Sequence, residues 1–402
     1  MSKVYIVGAK RSPIGSFLGT LAPLHPAEFG SQVLKSLLDD TKVDVSKIDE
    51  VLVGNILPAG LKQGLARQIS IGSGIPAFVP AYGVNMVCGS GMKSVMNGYS
   101  NIALGLHHLV VAGGAESMSN TPFLVTSQIR SGIKMGEQPM RDHMLYDALT
   151  DAFEGYHMGT TAENIVEKYN LTREEQDAFS WNSQVKAMNA QDASKFKDEI
   201  VPIVIKNRKG DTIFDQDEYI NRNTSLEKLS QLRPAFKKDG SVTAGSSSGI
   251  NDGASFILLA SEEAVKKYHL KPLAEVVGIG QGGVDPSVMG LGPTPAIRQA
   301  LNHAHLKLED MDLLELNEAF AAQSLGVIKE LVEEHHVSKE AILAKTNVNG
   351  GAIALGHPVG ASGNRIIVTL LHEMLKQPTA TYGLASLCIG GGMGTAVILK
   401  KI

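Results

Sequence analysis

The stretch NMVCGSGM, residues Asn85 to Met92, sets one of the chain's only two cysteines against glycines, where an extended segment gives way to a helical pattern. A cysteine at the first turn of a helix faces unpaired N–H groups and the positive end of the helix dipole, which favour the thiolate and lower the thiol pKa. A sharp strand-to-helix turn also exposes the nucleophile of a serine elbow. These features would make Cys88 a nucleophile, but most free cysteines are small buried hydrophobic residues, and the stretch alone favours that second interpretation.

Alternating short apolar runs and longer amphipathic stretches surround this turn. Val51 to Gly54 and Leu109 to Gly113 are apolar runs that end in glycine, whereas Pro26 to Leu38 and Met92 to Leu104 have helical spacing. Such alternation is typical of an α/β fold with buried sheets. We therefore expect Cys88 to lie at the end of a strand.

Two weak internal similarities occur in the same order along the chain. The segment from Cys88 to Met92 resembles the segment from Cys388 to Met393, and Pro26 to Val53 resembles Pro295 to Leu316. Ordered self-similarity predicts a duplicated architecture. Two related α/β halves would each place a cysteine at the end of an equivalent strand.

A change in composition separates one part of the chain from the rest. From residue 121 to residue 245 the chain carries more charge and fewer strand-like apolar runs. We interpret this part as an inserted lid or loop domain. The expected division is an N-terminal half over 1–120, the lid over 121–245, a return to the N-terminal half over 246–270 and a C-terminal half over 271–402.

Composition narrows the class of partner. The 402 residues include 37 Lys plus Arg and 41 Asp plus Glu, a net charge of -4, which gives no electrostatic basis for binding nucleic acid or an acidic membrane. We find no run of about 18 apolar residues that would predict a membrane span. With two distant cysteines and no C-x-x-C, neither a disulfide framework nor a metal site is expected. A small-molecule partner and a cytoplasmic location fit best.

Two further stretches carry polar groups suited to catalysis. His357 stands in a loop of small residues, Asn349 to Gly363, ahead of a helix expected from about Asn364. A histidine in such a loop suits a base that activates a thiol, although it could equally be a core histidine. Asn317 follows the strand-like LLEL and offers an amide at a strand end, or it caps a helix with Glu318 in the first turn.

Taken together, the motifs of this chain resemble those of the thiolase family, specifically its short-chain, biosynthetic acetyl-CoA acetyltransferases. The resemblance runs across nearly the whole chain, with the motifs in order. They are NMVCGSGMKSV (85–95), GGAESMS (113–119), YHMGTTAEN (156–164), RPAF (233–236), SSGINDGA (247–254), DPSVMGLGPTPA (285–296), NEAFAAQ (317–323), NVNGGAIALGHPVGASG (347–363) and CIGGGMG (388–394).

The resemblance implies a Claisen condensation of two acetyl-CoA to acetoacetyl-CoA and free coenzyme A, and the reverse thiolysis. Cys88 would take the acetyl group with help from His357, and Cys388 would remove a methyl proton from the second acetyl-CoA. His357 and a water held by Asn317 would face the enolate oxygen, and the N–H groups of Cys88 and Gly390 would face the acetyl-enzyme oxygen. No cofactor is implied beyond coenzyme A as part of the substrate, and a homotetramer built as a dimer of dimers is expected.

The resemblance also implies a set of substrate contacts. Leu149, His157, Ala244 and Ser248 would line the pantetheine arm, and Met158, Met289, Ala319 and Phe320 would surround the acyl end. One departure from the family is that Asn221 follows DEYI, where biosynthetic members commonly have an arginine near the nucleotide, so Arg222 is left out of the site.

Other functions remain open at this point. A 3-ketoacyl-CoA thiolase of broader chain length would use the same residues. A decarboxylating ketoacyl synthase or hydroxymethylglutaryl-CoA synthase would place His or Glu beside the nucleophile, and Cys388 argues against it. A non-catalytic CoA or lipid carrier would have no need of Cys88, Asn317, His357 and Cys388 together. The direction of the reaction in the cell is not predicted.

Overall fold

Long apolar runs form the centre of one mixed sheet. The structure is a computed structural model that describes residues 2–402. In β5 and β10 every residue is buried, as expected for strands covered on both faces. The strands are β1 (Val4–Arg11), β2 (Gly15–Ser16), β3 (Glu50–Gly54), β4 (Ala81–Val84), β5 (Leu109–Ser117), β6 (Phe123–Leu124), β7 (Arg141–Asp142), β8 (Ile203–Ile205), β9 (Thr212–Phe214), β10 (Asn251–Ser261), β11 (Ala274–Gly283), β12 (Leu313–Leu316), β13 (Tyr382–Ile389) and β14 (Met393–Lys401).

The amphipathic stretches form helices with recognisable start signals. The first helix has Pro26 at its first position and a capping box between His25 and Glu28. The helices are α1 (Pro26–Thr41), α2 (Leu65–Gly72), α3 (Ser90–Ala103), α4 (Met158–Tyr169), α5 (Arg173–Asp192), α6 (Leu226–Ser230), α7 (Glu262–Lys267), α8 (Pro293–Ala304), α9 (Ala321–His335), α10 (Lys339–Lys345), α11 (Ala352–Leu355) and α12 (Val359–Lys376).

The sheet is built from two halves of the same topology. Its order is β12-β13-β14-β11-β1-β10-β5-β3-β4, with β2 paired to β10. In the first half β3 runs parallel to β5, which is followed by antiparallel β10 and β1. In the second half β12 runs parallel to β13, which is followed by antiparallel β14 and β11. The two halves join where β1 pairs with β11, so the expected duplicated α/β fold is confirmed.

The duplication confirms one of the two expected correspondences between segments and contradicts the other. The similarity of Pro26 to Val53 with Pro295 to Leu316 is confirmed, because α1 and β3 correspond to α8 and β12. The equivalence of Cys88 and Cys388 is wrong. Cys88 precedes α3, whereas Cys388 lies within β13 and is followed by a tight turn into β14. The counterpart of α3 is α12, so the segment equivalent to Cys88 is the loop of His357.

The corresponding helices α3 and α12 cross in the middle of the protein. A Cβ atom added to Gly91 would lie 2.9 Å from the backbone N of Asn364 and 2.9 Å from the backbone O of Gly360. One added to Gly363 would lie 2.6 Å from the backbone N of Met92. The two helices therefore touch backbone to backbone at glycines. This contact sets the N-terminus of α3, next to Cys88, beside the N-terminus of α12, next to His357.

The elements between β5 and β10 are not one layer, because the β8-β9 sheet packs into the core with α1. They comprise the small two-stranded sheets β6-β7 and β8-β9 and the helices α4, α5 and α6. Helix α4 packs against α9, and α5 packs against α9 and α11. Residues that precede β10 in the chain are thus placed over the second half, where they can cover one side of a site formed at the helix N-termini.

The glycine contact between α3 and α12 makes a stability prediction. Gly91→Ala should destabilise the protein by about 1–3 kcal/mol, because the added methyl group meets backbone atoms that cannot move aside. The midpoint of urea unfolding measures this loss. Gly283→Ala is the matched control, since its added Cβ would meet no atom nearer than 3.8 Å. An equal loss in both variants would contradict a tight crossing.

Candidate active site

The turn that carries Cys88 has an unusual backbone. Strand β4 ends at Val84, and Val87 then adopts a φ of 45°, a left-handed conformation that is strained for a β-branched residue. Ser90 holds the turn, because its Oγ accepts from the N–H of Met86 at 2.8 Å and donates to the O of Val87 at 2.6 Å. The predicted sharp strand-to-helix turn is therefore present, with Cys88 directly before α3.

The segment after Cys388 lies against this turn. The backbone N–H groups of Gly390 and of Cys88 itself both act to lower the pKa of the Cys88 thiol. A Cβ atom added to Gly89 would lie 2.3 Å from Cδ1 of Ile389, so Ile389 packs directly against the residue after Cys88. Gly390, from the second half, thus brings its backbone N–H to the thiol of the first half.

His357 is fixed at both its backbone and its ring. Its N–H donates to Oδ1 of Asn251 at 2.9 Å, and Nδ1 lies 2.6 Å from Oγ of Ser362. The Asn251 side chain in turn donates to the backbone O of Gly15 at 3.0 Å. Asn251 therefore holds the backbone and Ser362 holds the ring at Nδ1, which leaves Nε2 for the cavity that His357 lines.

One cavity brings the predicted residues together. It has a volume of about 470 Å³ and is lined by Cys88, His357, Cys388 and Gly390. Their catalytic roles stay predictions, but their proximity is a feature of the fold. The same cavity is lined by every predicted substrate contact: Leu149, His157, Met158, Ala244, Ser248, Met289, Ala319 and Phe320.

The cavity narrows to an apolar end around Cys388. Met158, Met289 and Phe320 pack with Cys388 in one buried cluster. The sulfur of Met158 also lies 3.5 Å from the position of a Cβ atom added to Gly390. Methionine side chains therefore close the space next to the two cysteines.

His157 lies beside Met158 at the start of α4 and also lines the cavity. It caps α4, accepting from the N–H of Gly159 through Nδ1 at 3.0 Å, so Nε2 carries the hydrogen and can donate. Its ring stacks on Phe236 with centroids 4.8 Å apart, and Phe236 meets Phe320 edge to face. His157 is thus both a helix cap and a cavity residue.

Asn317 lies deeper than the other predicted residues. It is buried after β12, and α9 begins only at Ala321 with Phe320 as its cap, so Asn317 is not the helix cap. Neither Oδ1 nor Nδ2 of Asn317 has a hydrogen-bond partner among residues 2–402. A buried amide in this position has both groups available for a ligand or a water molecule. Asn317 does not itself line the cavity.

Comparisons with known proteins agree with this geometry. The family described as "Thiolase, N-terminal domain" matches residues 4–263, and "Thiolase, C-terminal domain" matches residues 270–401. The chain belongs to the thiolase family. It is 50% identical to a probable acetyl-CoA acyltransferase of Staphylococcus aureus over 402 residues, which is 100% of both chains.

Solved structures give the same result for the fold of this thiolase. The acetyl-CoA acetyltransferase of Syntrophomonas wolfei superimposes with a TM-score of 0.96 at 43% identity, covering 100% of both chains. The Bacillus anthracis acetyl-CoA acetyltransferase gives a TM-score of 0.94 at 43% identity, covering 100% of this chain and 99% of that one. These similarities confirm the fold class and identify the chain as an enzyme.

Burial governs the titration of both thiols in this thiolase. It raises the pKa of Cys88 to about 11, although the N–H groups of Gly390 and Cys88 act in the opposite direction. The expectation that the helix dipole lowers this pKa is therefore wrong, since desolvation outweighs it. Burial also raises the pKa of Cys388, and the nearby Cys88 adds to the rise. Both cysteines are thiols at neutral pH.

The histidine is neutral for the same reason. Burial lowers the pKa of His357 to about 3, and the charge of Arg365 adds to this effect. A neutral imidazole can accept a proton at Nε2. Cys88, Cys388 and His357 are thus all uncharged before a substrate binds.

Sequence reasoning missed several residues that shape the site. Glu116, in the GGAESMS motif, accepts from Asn55 Nδ2 at 2.7 Å and from the N–H groups of Ile56 at 2.9 Å and Gly360 at 3.0 Å. It thereby ties β5 to the loop of His357. Phe236 and Ser362 also lay inside motifs of the family resemblance, and only their neighbours in space reveal what they contact.

Two other classes of site were sought across the described residues. Among residues 2–402 no group of three or more His, Cys, Asp or Glu side chains is arranged to hold a metal ion. Within the same range, no helix combines the length and apolar character needed to cross a bilayer.

The raised pKa of Cys88 predicts how the thiol reacts. Because the thiolate is the nucleophile, alkylation by iodoacetamide should accelerate about tenfold per pH unit between pH 7 and pH 9, well below the pKa. Mass spectrometry of the Cys88 peptide measures the rate. The Cys88→Ser variant is the control and should react more slowly, since Cys388 is only 1% exposed. A rate that is already constant between pH 7 and pH 9 would contradict the raised pKa.

Proposed function

We propose that this thiolase is an acetyl-CoA acetyltransferase. It condenses two acetyl-CoA to acetoacetyl-CoA and free coenzyme A, and catalyses the reverse thiolysis, through an acetyl-Cys88 intermediate. The observation that carries the proposal is the convergence of Cys88, Cys388, His357 and the Gly390 N–H on one cavity with a short apolar end. Coenzyme A takes part only as a portion of the substrate, and no cofactor is required.

In the first half-reaction, Cys88 attacks the thioester carbonyl of acetyl-CoA. Its proton passes to Nε2 of His357 as the sulfur–carbon bond forms. The N–H groups of Cys88 and Gly390 receive the developing oxyanion, and their position beside the Cys88 thiol supports this step. The bond to coenzyme A then breaks, and the leaving thiolate takes the proton of Cys388, so that free coenzyme A departs.

In the second half-reaction, Cys388 is a thiolate and removes a methyl proton from the second acetyl-CoA. The protonated His357 donates to the enolate oxygen from Nε2, and a water held by the unpartnered amide of Asn317 provides the second donor. The enolate carbon attacks the acetyl group, the bond to Cys88 breaks, and His357 returns its proton to the Cys88 sulfur. Every proton is thereby restored.

This order of events explains how so weak an acid as Cys388 becomes a base. An unperturbed thiol has a pKa of about 8.5 and would exchange protons readily near neutral pH. Burial raises the pKa of Cys388 instead. The proton must therefore leave with a strong acceptor inside the site, and the departing coenzyme A thiolate is such an acceptor.

The separate roles of the cysteines can be tested directly. Cys388→Ala should still form the acetyl-enzyme, seen as an acetyl group on Cys88 by mass spectrometry, while condensation falls by about 10²- to 10⁴-fold because the base is lost. Cys88→Ala should do neither. Condensation by Cys388→Ala at the normal rate would overturn the assignment, and a wild-type protein never acetylated at Cys88 would overturn the proposed function.

A preference for short acyl groups forms part of the proposal. The alternative is a 3-ketoacyl-CoA thiolase of broader chain length. Met158 and Met289 pack beside Cys388 at the closed end, with exposures of 7% and 3%. Two bulky side chains beside Cys388 favour a short acyl group such as that of acetoacetyl-CoA.

Shortening the methionines should change this preference. Met158→Ala or Met289→Ala should raise the ratio of thiolysis of longer 3-ketoacyl-CoA to thiolysis of acetoacetyl-CoA by about tenfold, because the space released fits additional methylene groups. Steady-state kcat/KM on each substrate measures the ratio. Met311→Ala, which removes a buried methionine outside the cavity, is the control. A wild-type enzyme that already prefers longer substrates would support the alternative.

The assembly proposed is a homotetramer, a dimer of dimers. Strand β4 is the free edge of the large sheet, with Tyr82 44% exposed and nearby Phe78 71% exposed. An apolar free edge favours pairing with a second copy. A second apolar surface lies on the β6-β7 hairpin, where Phe123 and Met140 are exposed. Light scattering, which measures the molar mass in solution, tests the assembly.

A cytoplasmic location is proposed as well. Cys88 and Cys388 are both free thiols. The reaction needs them reduced, and reducing compartments keep thiols free. Detection of the protein after cell fractionation tests this location, and recovery outside the cytoplasmic fraction would contradict it.

A further inference from the structure

The ring of His357 has a single polar partner on the side away from the cavity. That partner is Ser362, whose Oγ lies 2.6 Å from Nδ1. Ser362 is in the first turn of α12 and is fully buried. Its Oγ also lies 2.9 Å from the backbone O of Pro358, the preceding turn's carbonyl.

These two contacts favour one placement of the hydrogen atoms, in which Ser362 donates to Pro358 and accepts from His357. A carbonyl oxygen can only accept, and a hydroxyl has one hydrogen to donate. If Ser362 donates its hydrogen to Pro358, its oxygen must accept from His357, so Nδ1 carries the hydrogen. Nε2 then has a free lone pair directed at the cavity that Cys88 lines. This is the tautomer that can take a proton from a thiol.

We propose that Ser362 is a positioning residue that holds His357 in the tautomer required for accepting the Cys88 proton, through the Nδ1–Oγ–Pro358 hydrogen-bond chain. The inference rests on the proposed function, in which His357 accepts that proton. It adds Ser362 as the residue that allows Nε2 of His357 to accept the Cys88 proton. Ser362 does not touch the substrate, since it does not line the cavity.

A hydroxyl group suits this position better than a carboxylate. While the ring is neutral, the Nδ1–H to Oγ bond is an ordinary one. When Nε2 takes the Cys88 proton, the ring becomes a cation and the same bond becomes charge-assisted and stronger. The serine therefore supports the transient imidazolium without fixing a permanent cation in the resting site, because it carries no charge of its own.

The backbone contact of His357 keeps the geometry in place during this change. Asn251 accepts from the His357 N–H at 2.9 Å, and a Cβ atom added to Gly356 would lie 2.5 Å from Cγ of Asn251. The peptide before the ring is therefore clamped independently of Ser362. Removing the Ser362 hydroxyl should alter the state and orientation of the ring while the surrounding loop remains folded.

The test compares Ser362→Ala with a matched serine. Ser180 is also fully buried, and its Oγ donates to the carbonyl of residue 176, four positions earlier, at 2.8 Å, but it contacts no histidine. Ser180→Ala thus removes the same helix hydrogen bond without touching the site. Single-turnover acetylation of Cys88 by acetyl-CoA, followed by mass spectrometry, is the main measurement, with kcat, KM and the thermal midpoint alongside.

For Ser362→Ala we expect acetylation and kcat to fall by about 10- to 100-fold, less than the loss of the base itself would cost, with KM changed by less than about threefold. Ser180→Ala should acetylate at the wild-type rate. Ser362→Thr retains the hydroxyl and should restore most of the rate, with Ser180→Thr as the control for the added methyl group.

The outcomes separate this inference from the proposed function. Equal acetylation rates in Ser362→Ala and Ser180→Ala would overturn the role of Ser362 while leaving acetyl-Cys88 intact. A wild-type protein that is not acetylated at all would overturn the proposed function instead. If Ser362→Ala does not fold, Ser362→Thr and Ser362→Val decide, since they match in shape and differ in the hydroxyl; equal rates in that pair would also reject the inference.

Discussion

The backbone contact between α3 and α12 is the constraint on which the site depends. The carbonyl oxygen of Gly360 lies very close to β3, α3 and β5. A Cβ atom added to Gly54, Gly91 or Gly114 would lie 2.6 Å, 2.9 Å or 2.1 Å from this oxygen, respectively. Only glycine permits such an approach. Because Cys88 precedes α3 and His357 precedes α12, this single crossing brings together two residues 269 positions apart in the chain, from 88 to 357. The chemistry is thus a consequence of helix packing.

Sequence patterns predicted where the helices and strands lie better than they predicted which segments of the two halves are equivalent. The apolar runs and helical stretches lie where expected, except that α12 begins at Val359, earlier than the expected Asn364, because Pro358 can cap a helix that starts in small residues. The pairing of Cys88 with Cys388 failed because both stand before glycines. A glycine-rich turn can lead into a helix or into a hairpin, and only the strand pairing distinguishes them.

In the site, likewise, the sequence predicted many of the residues that line the cavity but not the surroundings of each residue. The motifs contain all the predicted residues that line the cavity except Leu149 and Ala244. They could not predict the pKa of Cys88, because burial depends on segments far away in the chain, such as Ile389 and Glu116. Nor could they reveal that Glu116 joins two loops, or that Ser362 contacts the ring of His357. These contacts exist only after the two halves have packed.

The duplication also shows that equivalent strand positions have different roles in the two halves. Gly54, the last residue of β3, pairs with Gly114, and Leu316, the last residue of β12, pairs with Ser386. Two positions further on, Glu116 and Cys388 are therefore counterparts. In the first half this position holds a buried carboxylate that organises loops through backbone N–H groups, and in the second it holds a thiol facing the cavity. The same strand position thus supports the scaffold in one half and supplies a reactive group in the other, which lets the second half contribute both His357 and Cys388 opposite Cys88.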